Sequence, residues 1–70
     1  MQITVNGEQR LLEPETEPAT LDRVIELLGH HPRLIVVEFN GTILVPSLWT
    51  QQQVSDGDIL EIVTIVGGGS

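Results

Sequence analysis

Apolar and polar residues alternate over Met1-Gln2-Ile3-Thr4-Val5, the period-two signature of a strand buried on one side. Asn6-Gly7 comes next and predicts a tight hairpin, because both central residues of a type I′ turn need positive φ. Glu8 to Leu12 then returns as a second strand. Glu13-Pro14-Glu15-Thr16-Glu17-Pro18, with two prolines and three acids, reads as an exposed loop. From Thr20 the period changes. Leu21, Val24, Ile25 and Leu28 fall at i, i+3, i+4 and i+7, so one face of a helix is apolar, while Asp22, Arg23 and Glu26 lie on the rest of its surface. The Thr20 hydroxyl is placed to cap the helix by accepting an amide two or three residues on, and Asp22 complements the positive end of its dipole. Gly29 predicts a left-handed stop and Pro32 forbids continuation.

Leu34 to Phe39 is a third strand. Ile35, Val37 and Phe39 are expected to share the covered face, with Leu34 and Val36 competing for that register. Asn40-Gly41 supplies a second hairpin turn into Thr42-Ile43-Leu44-Val45. Pro46 and Ser47 open one short turn that holds Leu48 and Trp49, with Trp49 expected to plug one end of the core. Gln51-Gln52-Gln53 reads as surface, and Asp56-Gly57-Asp58 as the last turn before a fifth strand over Ile59 to Thr64.

The order is therefore strand, strand, helix, strand, strand, strand. A single helix covers only one face of a single sheet. Placing the first and last strands side by side, parallel and central, buries the two most regular ones. The result is an α+β, ubiquitin-like β-grasp of about five strands, one domain over residues 1–64 with a glycine-rich tail at 65–70.

Composition narrows the function. Ten acids against three arginines give a net charge of −7, the wrong sign for nucleic acid or an anionic membrane surface. There is no cysteine, so disulfides, thiolate nucleophiles and thiolate metal sites are excluded. Lysine is absent as well, which reads as compositional drift toward arginine in an acidic chain or as leaving no side-chain amine to meet an activated acyl group on the chain. No apolar run approaches the ~18 residues of a membrane span, and the start shows no secretory pattern, so a cytoplasmic location is expected.

The body offers little chemistry. His30-His31 lies where a helix C-terminus favours histidine, with no third ligand at metal spacing. Glu13, Glu15 and Glu17 lack the glycine turn of a calcium loop. Glu38 is expected to face water on the open side of the sheet. No phosphate-cradling loop joins a strand to a helix. What remains is Ile65-Val66-Gly67-Gly68-Gly69-Ser70. Glycine has no Cβ, so such a tail passes through channels that exclude side chains. A frayed end or an engineered linker is the plain alternative.

The turn Asp56-Gly57-Asp58, the strand Ile59 to Val63 and the ending Val66-Gly67-Gly68-Gly69 together resemble the ThiS family, the sulfur carriers of thiamin thiazole biosynthesis. The likeness also covers Met1 to Gly7, Thr20-Leu21 with Ile25 to Leu28, Val37 to Gly41, and Val45-Pro46 with Trp49. It implies a protein co-substrate rather than an enzyme, with no cofactor or metal of its own. An E1-like adenylating enzyme would activate the terminal glycine with ATP. A cysteine desulfurase or other sulfurtransferase would supply sulfur as a persulfide, and thiazole synthase would take it from the resulting thiocarboxylate. Carried over, Gly68 and Gly69 are the sulfur-bearing end, Val66 and Gly67 thread into partner active sites, and Val63 and Ile65 are docking residues.

Two departures stand out. Ser70 lies beyond the glycines, implying that it is trimmed, is a remnant, or marks an inactive precursor; Gly69 is then the acceptor. The stretch from Pro46 to Trp49 is also a residue short. The small subunit of molybdopterin synthase is an alternative carrier, and a ubiquitin-like binding module with an idle tail is an alternative of another class.

Overall fold

The computed structural model describes residues 1–65. Strands β1 (Gln2–Val5) and β2 (Glu8–Leu11) form the first hairpin. Its turn residues sit at positive φ, Asn6 at 51° and Gly7 at 81°, as the Asn-Gly pair requires. Helix α1 spans Leu21–Leu27 and buries Leu21, Val24 and Ile25, with Leu28 packed at the edge of the same core. It ends in a Schellman motif. Gly29 is left-handed at φ 84°, its amide donates to the Glu26 carbonyl at 2.9 Å, and the His30 amide reaches the Ile25 carbonyl at 3.2 Å.

After a 3₁₀ turn over Pro32–Leu34, capped by the His31 imidazole accepting from the Arg33 amide, the chain enters β4 (Ile35–Phe39). The competing register resolves as expected, with Ile35, Val37 and Phe39 buried and Val36 outward. Strand β5 is Thr42–Leu44, α2 is one turn over Pro46–Trp49, and β7 is Ile59–Thr64. The main sheet runs β2-β1-β7-β4-β5, with β7 central, parallel to β1 and antiparallel to β4. This is the β-grasp arrangement anticipated from the pattern.

Two local details differ from expectation. Gln53 is exposed, as a surface segment should be, but it belongs to a strand. Gln53–Val54 forms β6, which pairs with β3 (Ala19–Thr20) in a small second sheet. Thr20 does not cap α1 through its side chain; its hydroxyl donates to the Asp22 carboxylate. Beside the helix entry, the Gln52 carbonyl takes a different first-turn donor, the Leu21 amide, at 2.7 Å.

The core is one cluster between α1 and one face of the sheet, with Ile3, Val37, Leu60 and Ile62 below and Leu21, Val24 and Ile25 above. Trp49 closes one end, 2% exposed, and its indole N–H donates to the Leu44 carbonyl at 2.9 Å. Among the described residues no charged or polar side chain is buried.

Candidate functional site

The strand that leads to the tail is central in the sheet and held on both sides. On one side β7 pairs with β4 along five residues, from Ile35 opposite Thr64 to Phe39 opposite Leu60. On the other it meets β1 only at Ile59 and Leu60, because β1 turns away at Asn6. The Asn6 side chain takes over from there. Its amide oxygen accepts from the Ile62 N–H at 2.7 Å and its amide nitrogen donates to the Ile62 carbonyl at 3.0 Å, so the side chain stands in for the next peptide group of β1.

Asn40 plays the matching part on the β4 side. Its backbone N–H donates to the Ile59 carbonyl at 2.8 Å, while its side-chain oxygen accepts from the Ile59 N–H, also at 2.8 Å. The side-chain nitrogen then reaches the Asp58 carboxylate at 3.1 Å. That carboxylate accepts from the Ser55 amide at 2.8 Å, and Asp56 accepts from the Gln2 amide at 2.7 Å, closing the Asp56-Gly57-Asp58 turn onto the sheet. Both asparagines of the hairpin turns thus bind the last strand. Sequence reasoning found their turns and missed this second duty, since nothing local signals partners 56 residues from Asn6 and 19 from Asn40.

Val63 and Ile65, the expected docking residues, lie on the face of the sheet that α1 leaves bare. They are 63% and 51% exposed, beside Val36, Ile43 and Ile59 at 37%, 62% and 51%. Register brings these together, since Val36 stands opposite Val63, and Glu38 opposite both Ile43 and Glu61. Leu34 adjoins Ile65, whose amide donates to its carbonyl. Apolar residues clustered on an open sheet face, rather than scattered singly, mark an interaction surface. Glu38 is on this outer face, half-buried, as anticipated. Val66, Gly67, Gly68, Gly69 and Ser70, expected to form the threading and sulfur-bearing end, lie outside the described residues.

Concave sites are modest. An open cleft of about 230 Å³ between the 13–18 loop and α1 is lined by Glu15, Thr16, Arg23 and Glu26 among others. Its one cation, Arg23, is already paired with Glu26 at 3.2 Å. Among the described residues no three His, Asp or Glu side chains group together as metal ligands would, and no helix is long and apolar enough to cross a membrane.

Comparison with known proteins agrees with this architecture. The ThiS family model matches residues 3–69. The crystal structure of the thiamine biosynthesis protein ThiS from Geobacter metallireducens superposes with a TM-score of 0.80 at 28% identity, covering 99% of this chain and 100% of that one. A solution structure of a thiamine biosynthesis protein from the same organism gives the same score over 100% of this chain and 90% of that one. The chain is 39% identical over its whole length to a thiazole synthase of Paramagnetospirillum magneticum, spanning only 21% of that longer protein. It is 36% identical over 67 residues to the uncharacterized protein ycf40 of Porphyra purpurea, and spans 90% of it. The β-grasp body, the glycine ending and the match over nearly every residue place this chain in the ThiS family, the sulfur carriers of thiamin biosynthesis.

Proposed function

We propose that the chain carries sulfur to thiazole synthase as a thiocarboxylate on its terminal glycine, and that Gly69 is that glycine once Ser70 is removed. The observation that carries this reading is the family match running through residue 69, which takes in the glycines beyond the last strand. The chemistry needs partners, because ATP activation and the sulfur atom must both be brought to the tail by other proteins. A carboxylate is a poor electrophile. Attack of its oxygen on the α-phosphorus of ATP, with loss of pyrophosphate, converts it to an acyl adenylate with AMP as leaving group. A cysteine persulfide on a sulfurtransferase then attacks the acyl carbon and expels AMP. Reduction of the acyl disulfide by a second thiol releases the thiocarboxylate. Glycine serves here because it adds no bulk beside the attacked carbon and fits a narrow channel.

Thiazole synthase is the acceptor. The match of the entire chain to part of a protein of that name supports an association between a domain of this kind and that activity. Docking falls to the bare sheet face around Val63 and Ile65, with Val66 and Gly67 passing into the enzyme. The adenylating enzyme uses the same end.

The test is intact-mass analysis of a chain ending at Gly69, incubated with its adenylating enzyme, ATP and a sulfur donor. The expected gain equals one sulfur in place of one oxygen, and deletion of residues 68–70 abolishes it. An unchanged mass in the chain ending at Gly69, with enzymes active on another ThiS protein, overturns the proposal.

A further inference from the structure

The bare face of the sheet contains a conflict that folding alone does not explain. Glu38 and Glu61 stand directly opposite each other on β4 and β7. The ladder alternates from the Asn40–Ile59 bonds to the Ile65–Leu34 bond, which makes Glu38 and Glu61 a hydrogen-bonded pair, with Cα atoms roughly 5.5 Å apart. Like charges in that position destabilise a sheet. Neither carboxylate has an ion-pair or hydrogen-bond partner among the described residues, where the one ion pair is Arg23–Glu26. The outward positions of β1, β4, β5 and β7 include no lysine or arginine. Around the pair stand Val36, Val63, Ile43 and Ile59, all exposed apolar side chains.

We propose that Glu38 and Glu61 form a two-carboxylate socket for an arginine on thiazole synthase, with the apolar ring sealing the contact against water. The inference rests on the carrier reading and names how its docking face chooses a partner. Two carboxylates on neighbouring strands suit a planar guanidinium, whose several N–H groups can serve both at once, better than the point charge of a lysine. Desolvation by the surrounding valines and isoleucines strengthens the attraction and makes an unfilled socket unfavourable, so a partner surface without the cation is rejected. The same argument excludes a second copy of this chain. A two-fold dimer through this face would press acid pair against acid pair between molecules of net charge −7.

The experiment measures binding of the full chain to thiazole synthase from the same organism, beside Glu38→Gln, Glu61→Gln and the double variant. A Glu13→Gln/Glu15→Gln variant makes the same charge change in a remote loop. Each single substitution is expected to weaken binding about tenfold or more, while the loop variant stays within about twofold. The double variant should lose most of the salt dependence of binding. It should also melt at the same or a higher temperature, because its repulsion is gone. Weaker binding joined to undiminished stability supports the socket.

Unchanged affinity in the double variant, with the parent binding, overturns it. So does a stable dimer of the free chain that Ile43→Asp dissolves. A parent that acquires sulfur yet shows no binding dependence on these residues sinks the socket alone. A parent that neither binds nor acquires sulfur sinks the carrier reading with it.

Discussion

The two faces of the five-stranded sheet are built from the same kinds of residue and have opposite fates. On the helix side Ile3, Val37, Leu60 and Ile62 are at most 5% exposed. On the other side Val36, Ile43, Ile59 and Val63 are apolar too, yet each is more than a third exposed. Strand propensity does not distinguish them, since both sets are β-branched or leucine. The difference is coverage. Helix α1 covers one face only, and the second apolar face stays open, which suits it to the docking proposed above.

The sharpest way to break that contrast uses neighbours in sequence. Leu60→Asp puts a carboxylate into the core beneath α1 and should cost more than about 4 kcal/mol. That is close to the whole stability expected of a domain this size, so the variant should lack a cooperative melting transition by circular dichroism. Ile59→Asp, one residue away on the outer face, should fold normally.

Next comes the clamp. Asn6→Gly keeps the positive φ free of strain but removes the amide from Ile62, leaving a partly buried N–H and C=O without partners. A loss of about 2 kcal/mol in urea unfolding is expected. Faster hydrogen exchange at the Ile62 amide would locate the damage.

Smaller still is Trp49→Phe, which keeps most of the apolar plug and forfeits the indole bond to the Leu44 carbonyl. About 1 kcal/mol should be lost by the same measurement, beyond a small packing term.

The smallest effect on stability, and the one that separates the faces by function, is Ile65→Asp. On an exposed face it should change unfolding by less than about 0.5 kcal/mol. Binding to thiazole synthase, read by calorimetry, should nevertheless weaken tenfold or more. Intact binding would place the contact elsewhere.

Much of this was legible in the residues. Alternation in Met1 to Val5 and over Ile35 to Phe39 gave the correct buried parity, and the two Asn-Gly pairs located both hairpins. The helix stripe fixed which side chains enter the core. The β3–β6 pair escaped because two-residue strands have no period to detect. The capping error at Thr20 has a local root, since its hydroxyl donates to the neighbouring Asp22 carboxylate instead of accepting a helix amide. At the site, the resemblance put Val63 and Ile65 on the outer face, and counting in twos from Ile59 reaches the same positions. The opposition of Glu38 to Glu61 could not be reached so, because it depends on the register between strands more than twenty residues apart.

The tethering of β7 has a mechanical consequence. Tension applied to the chain beyond Thr64, as the proposed cycle would apply it, reaches the body through that strand. The bonds from β7 to β4, to the end of β1 and to the Asn6 amide lie across its axis, so they bear a load in shear, together, rather than peeling one after another. The fold is therefore braced against tension along its last strand.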